Sequence, residues 1–157
     1  MHDKDEQQHD SQRDVVQQPD PSEQLRPSDA DGLVTAYGIH MPPSCPPGNA
    51  GSVDFSLYRL VLPGNLTESS FRTSQEDGRF PEGDPCIRCS ISTYGDRRSA
   101  EKLRERATYF LNHVLAAGVI TPEAGVTCRT PSRWSRHHYS WWPRVGVIRS
   151  SFFRIVA

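Results

Sequence analysis

The C-terminal segment combines arginine with aromatic side chains. Residues 124–157 carry six arginines and no aspartate or glutamate. Arginine pairs with phosphate and aromatic rings stack on bases, so this composition is typical of a surface that binds single-stranded nucleic acid. The same residue types are enriched at the centres of protein interfaces. An alternative is that the aromatic side chains complete the core and the arginines face water. We predict a binding role for six residues: Arg133, Trp134, Arg136, Trp141, Trp142 and Arg144.

Cys86 and Cys89 have the CxxC spacing of a zinc knuckle. A structural zinc site normally needs two such pairs, whereas Cys45 and Cys128 stand alone on either side. We therefore predict no metal and no cofactor. A structural zinc held through Cys86 and Cys89 is the alternative.

The long polar segment from Thr67 to Pro85 is a candidate for a functional loop. The four carboxylates that lie within residues 76–84 of this segment do not match the spacing of an EF-hand, and we interpret the segment as a solvated loop. Arg97 and Arg98 follow it at the start of a predicted helix, where anions bind favourably. An enzyme site here would require a pocket that brings His40 or His113 near the loop carboxylates. The four acids are Glu76, Asp77, Glu82 and Asp84.

Hydrophobic patterning predicts the elements that position these residues. Alternating apolar side chains predict strands over 33–39, 53–62 and 86–94, and a further strand or hairpin over 145–156. Apolar residues spaced three and four apart predict one amphipathic helix over 97–117, with Asp96 or Ser99 as its N-cap and Gly118 just beyond its end. We expect this helix to pack on the sheet through Leu103, Ala107, Phe110, Leu111 and Val114.

These elements predict an α+β fold, in which a small sheet of about four strands carries one long amphipathic helix. We divide the chain into an acidic tail over 1–31, a small α+β domain over 32–128 and a basic aromatic segment over 129–157. The last segment supplies a further strand of the domain or stands outside it. The tail has nine acidic and three basic residues and few apolar ones, so we predict that it is disordered.

The sequence also indicates the cellular compartment of the protein. Apolar runs are too short to span a bilayer, and the N-terminus has neither the basic nor the apolar region of a secretory signal. We therefore predict a cytoplasmic protein, in which the four cysteines are reduced.

The sequence favours an interaction module that is not an enzyme and that binds a partner protein through its arginine and aromatic C-terminal segment. A small protein that binds single-stranded nucleic acid through the same segment is the first alternative. A small enzyme, with its site in the 67–85 loop and at the start of the helix, is the second.

Overall fold

The computed structural model describes Tyr37 and residues 40–157. In this part of the chain, six strands form one antiparallel sheet in the order β4-β5-β2-β1-β3-β6. The strands are β1 (Leu57–Val61), β2 (Ile91–Tyr94), β3 (Val114–Gly118), β4 (Gly125–Arg129), β5 (His138–Pro143) and β6 (Phe153–Val156).

Helices contribute little to the described structure. A single turn, α1, spans Pro85–Arg88, and a ten-residue helix, α2, spans Arg97–Arg106. Three short 3₁₀ turns cover Glu68–Phe71, Thr108–Phe110 and Arg149–Phe152. The predicted α+β fold with four strands and one long helix is therefore wrong, because the described part is mostly sheet and its main helix is short.

The predicted helix over 97–117 begins correctly and ends too late. Asp96 is its N-cap, since one carboxylate oxygen accepts from the Ser99 amide at 2.8 Å. The helix stops because Ala107 adopts an extended conformation, with φ −110° and ψ 112°. The next three residues, Thr108–Phe110, are β-branched or aromatic and have weak helix propensity. The remainder of the predicted helix contains β3.

Two of the strand predictions are also too long. Of the range 53–62, only Leu57–Val61 is a strand, and of 86–94 only Ile91–Tyr94. The start of the second range is instead α1, which Pro85 at its first position and the N-cap Asp84 favour. The predicted strand over 33–39 and the tail over 1–31 lie outside the described residues, apart from Tyr37.

The basic aromatic segment contributes two strands to this sheet. β5 lies between β4 and β2, and β6 lies at the opposite edge beside β3. β6 falls within the predicted strand or hairpin over 145–156. Gly118, predicted to follow a helix, instead ends β3, where an added Cβ would collide with the Phe152 carbonyl. Glycine therefore lets the chain leading into β6 approach β3 closely.

The core lies on both faces of the sheet. On one face, Trp141 packs against Phe153 and Phe152, with ring centroids 5.9 and 6.3 Å apart. On the other face, α2 contributes Ala100 and Leu103 to a cluster that also contains Leu60, Tyr94 and Leu115. These two layers fix β1 and β2 in the middle of the sheet.

A disulfide joins Cys45 to Cys86, with their Cα atoms 5.5 Å apart. The prediction that all four cysteines are reduced is therefore wrong, since the loop before β1 folds back against α1. Cys89 and Cys128 are free thiols. None of the helices in the described part of the chain has the length and apolar composition needed to cross a membrane.

Candidate functional site: a cleft between β1 and β2

The two central strands separate shortly after they meet. β1 and β2 are paired at one position only, Tyr58 with Tyr94. By contrast, β1 pairs with β3 at five positions and β2 pairs with β5 at four. The opening between β1 and β2 is part of a cleft of about 1070 Å³. This volume is just above the usual range for small-molecule sites, about 300–1000 Å³.

Arg59 on β1 bridges the opening. Its guanidinium donates to the carbonyl oxygens of Ser92 on β2, at 2.7 Å, and of Ser70, at 2.8 Å. None of the ion pairs formed by the described residues involves Arg59. Burial lowers the pKa of Arg59 to about 10, so the guanidinium is still charged at neutral pH. The cleft therefore contains a partly buried cation that forms no ion pair with a described residue.

The rest of the lining is also cationic. Arg72, Arg79 and Arg88 join Arg59, against the two carboxylates Asp77 and Asp84. Four arginines and two aspartates give the lining a formal charge of +2. Both Arg72 and Arg79 form ion pairs with Asp77, which leaves one excess charge between them. The cleft is therefore suited to an anion.

Exposed apolar side chains surround this cationic centre. Leu62 is 64 % exposed, Phe80 68 %, Tyr109 66 % and Trp134 57 %, and all four line the cleft. The Arg133 guanidinium lies over the Trp134 ring, 4.9 Å from its centroid. A large exposed apolar surface around a groove is typical of a binding site.

A chain of hydrogen bonds reaches the cleft through His138. Its Nδ1 lies 2.8 Å from the Thr130 carbonyl oxygen, which accepts only, so Nδ1 carries the hydrogen. Burial lowers the pKa of His138, although the Thr130 bond opposes this, and this direction favours the uncharged ring. Nε2, 3.1 Å from the Ser92 hydroxyl, therefore accepts that hydrogen. This leaves the oxygen of Ser92, an exposed residue, as an acceptor in the cleft.

His113 lies beside this site with one ring nitrogen unpaired. Its buried Nδ1 has no hydrogen-bond partner among the described residues. The ring packs against Tyr109 and Phe110, with centroids 5.4 and 5.0 Å away. Burial lowers the pKa of His113, and the Arg59 charge adds to this effect. Nδ1 is therefore an unsatisfied polar atom buried behind the cleft wall, rather than a group on the cleft surface.

The 67–85 loop forms one wall of the cleft, and its acidic residues hold it in place. Glu76 accepts two hydrogen bonds from Arg149 near the C-terminus, and Asp77 pairs with Arg72 and Arg79. Asp84 caps α1 by accepting from the Ile87 amide. Among the described residues, no group of three or more acidic, histidine or cysteine side chains is placed to hold a metal. The Cys86 thiol proposed for zinc is used in the disulfide.

The six C-terminal residues predicted to bind a partner lie in different environments. Trp141 and Trp142 are fully buried, and their indole NH groups donate to the Ala124 and Cys86 carbonyls. Their side chains are therefore inaccessible in the folded domain, because they complete the core. Arg133, Trp134, Arg136 and Arg144 are exposed, but Trp134 is the one that lines the cleft.

The cleft brings together some groups required by the alternative enzyme site. The lining includes His113 together with the loop carboxylates Asp77 and Asp84. It does not include Arg97, Arg98 or His40.

Sequence reasoning missed Arg59, Ser92, Tyr94 and His138 as a group. They come from three strands, and the chain separates the first from the last by nearly 80 residues. One signal was present, since Arg59 is the single charged residue in the strand Leu57–Val61. A charge inside an otherwise apolar strand needs a partner or a function.

In the comparisons with known proteins, no protein-family model, curated protein or solved structure matches this chain.

Proposed function

We propose that this domain is a binding module, and that it takes an anionic organic ligand with a planar aromatic part into the cleft between β1 and β2. The observation that carries the proposal is Arg59, a partly buried guanidinium bound to backbone carbonyls and to no carboxylate of the described residues. A partly buried charge without an ion-pair partner is costly, and an anionic ligand would lower that cost.

The rim supports the aromatic part of the proposal. Tyr109 and Trp134 both line the cleft, and each is more than half exposed. Each ring is already supported on one side, Tyr109 by Phe110 and His113, and Trp134 by Arg133. Rings that are held in place before binding lose little entropy when a ligand stacks on them.

The binding surface that we propose is the cleft, and no longer the whole C-terminal segment. The sequence-based proposal used three tryptophans, and two of them are core residues. Of those three tryptophans, Trp134 keeps the proposed binding role. It lines the cleft together with residues from β1, β2 and the 67–85 loop. A partner protein remains a prediction, and it would have to insert an acidic and apolar segment into the same cleft.

The proposal is tested with anilinonaphthalene sulfonate, a small aromatic anion, in a titration of the ¹⁵N-labelled full chain. We expect saturable chemical-shift changes at Arg59 and Tyr94 and at the indole NH of Trp134, and none at the indole NH of Trp142. Arg59→Met should abolish the changes at the cleft. The matched control Arg154→Gln removes an exposed arginine on β6, outside the cleft, and should leave them intact.

The cleft is not the site if the chemical-shift changes spread over the whole domain. The same conclusion follows if Arg59→Met and the unsubstituted chain bind the sulfonate equally. A far-ultraviolet circular dichroism spectrum of each variant establishes that the fold is retained. If Arg59→Met does not fold, Trp134→Ala, a substitution at an exposed residue, provides the same comparison.

A further inference from the structure

The cleft contains three separate kinds of recognition group. Arg59 supplies a cation, Tyr109 and Trp134 supply exposed aromatic rings, and the Ser92 hydroxyl oxygen supplies an acceptor. A simple aromatic anion would use the first two and leave Ser92 unused. A ligand that uses all three groups needs an anionic group, a planar ring and a hydrogen-bond donor. This requirement excludes more ligands than the charge and volume of the cleft do.

We propose that the ligand is a nucleotide, with its phosphate at Arg59, its base on the aromatic rim and a sugar hydroxyl donating to Ser92. This inference rests on the proposed function, because it names the chemical class that occupies the same cleft. The chemistry it requires, phosphate and base joined by a sugar, belongs both to free nucleotides and to the end of a nucleic-acid strand.

The phosphate assignment follows from the remaining donors of Arg59. Its guanidinium carries five N–H groups, and three hydrogen bonds to backbone carbonyls are present, to Ser70, Ser92 and Arg72. These bonds hold the planar group across the opening and leave donors free. Arginine held in this way is well suited to phosphate, which accepts two parallel hydrogen bonds.

Additional positive charge lies close to that point. Arg79 has an exposed side chain, and its ion pair with Asp77 is shared with Arg72. Arg59, Arg72 and Arg79 share this part of the lining with one carboxylate, that of Asp77. The excess is therefore two positive charges. This excess matches a diphosphate better than a single carboxylate.

The sugar assignment follows from the direction of the hydrogen bond at Ser92. With the His138 hydrogen on Nδ1, donated to the Thr130 carbonyl, Nε2 accepts the Ser92 hydrogen, so the Ser92 hydroxyl is held as an acceptor. It can then accept from a sugar hydroxyl, which neither an aromatic sulfonate nor pyrophosphate possesses.

The test uses isothermal titration calorimetry of the full chain with ADP, adenosine, pyrophosphate and 2′,3′-dideoxy-ADP. We expect ADP to bind, and adenosine and pyrophosphate to bind at least about tenfold more weakly, since each lacks one recognised part. Arg59→Met should weaken ADP binding by about tenfold or more, with Arg154→Gln as the unaffected control. Tyr109→Ala should weaken ADP binding by about fivefold or more and leave pyrophosphate unchanged, because it removes stacking alone.

Ser92→Ala should weaken ADP binding but not binding of the dideoxy analogue, which has no sugar hydroxyl to donate. A six-nucleotide single strand is titrated in parallel. Tighter binding of the strand than of ADP, lost in Arg59→Met, would assign the same site to the end of a nucleic-acid chain. Absence of binding of both ADP and the strand at millimolar concentration overturns the inference. If the naphthalene sulfonate still binds the cleft, the proposed function survives this failure; if it does not, both fail.

Discussion

The carboxylate of Glu76 accepts two hydrogen bonds from the Arg149 guanidinium, each 2.8 Å long, across 73 residues of sequence. The same carboxylate accepts from the Thr73 amide at 2.7 Å. This contact ties the 67–85 loop, one wall of the cleft, to the 3₁₀ turn that precedes β6. Burial opposes ionisation of Glu76, but the bonds from Arg149 and Thr73 outweigh it and lower its pKa to about 2.

We expect Glu76→Gln to destabilise the protein by about 1–2 kcal/mol at pH 7, allowing for solvent screening of a half-buried pair. The folded-state pKa is below the ordinary value of 4.5. The stabilisation is therefore complete above the unfolded-state pKa and is lost as the pH falls from there towards 2. Urea unfolding at several pH values should show a smaller loss of stability between pH 5 and pH 2.5 in the variant than in the natural chain.

Glu101→Gln is the matched control for this measurement. Glu101 pairs with Arg97 one turn away on α2, and such exposed pairs contribute about 0.3–0.5 kcal/mol. Equal losses in the two variants would show that the Glu76 contact does not hold the loop.

The disulfide between Cys45 and Cys86 gives a second prediction. It closes a loop across a sequence separation of 41 residues. Loop-closure entropy then predicts that the double variant Cys45→Ser, Cys86→Ser is less stable by about 3–4 kcal/mol. Cys128→Ser, which removes a free thiol, should cost less than about 1 kcal/mol.

Alkylation followed by mass spectrometry tests the bond directly. Denatured protein should take up two alkyl groups without reductant, on Cys89 and Cys128, and four after reduction. Uptake of four groups without reductant would restore the original expectation that all the cysteines are reduced.

The sequence predicted some local features of the fold and missed others. The start of α2 was predictable because Asp96 lies three residues before Ser99, and its carboxylate accepts from the Ser99 amide. The end of α2 was not, because the apolar spacing over 110–115 fits a helix and β3 equally well. Pairing of β3 with β1 and β6 decides the outcome, and this depends on residues far away in the chain. The cleft was unpredictable for the same reason, since it arises where β1 and β2 stop pairing after Tyr58 and Tyr94.

Leu103 and Leu111 distinguish the short helix from the long one. A helix over 97–117 places both leucines on the same buried face. In the structure, Leu103 is 8 % exposed and Leu111 is 61 % exposed. We therefore expect Leu103→Ala to cost about 2–5 kcal/mol and Leu111→Ala less than about 0.5 kcal/mol in urea unfolding. Similar large losses at both positions would favour the long helix.

The acidic N-terminal residues provide the last prediction, which concerns anion binding rather than stability. Residues 1–31 contain nine acids and three bases, a formal charge of −6. They are attached to a domain whose cleft lining carries a formal charge of +2. A tethered polyanion has a high effective concentration near its own domain, so it competes with any free anion for the cleft.

Deletion of residues 1–31 should therefore raise the affinity for ADP, and the gain should be largest at low salt, where screening is weakest. At about 0.01 M salt charges interact over about 30 Å, and at 1 M over about 3 Å. Calorimetry at both salt concentrations, with the full and the shortened chain, measures the gain. A full-length variant with its nine acidic residues changed to asparagine or glutamine separates charge from bulk and should reproduce the effect of the deletion. If the deletion raises affinity equally at both salt concentrations, the tail acts by occupying space, and the electrostatic explanation is wrong.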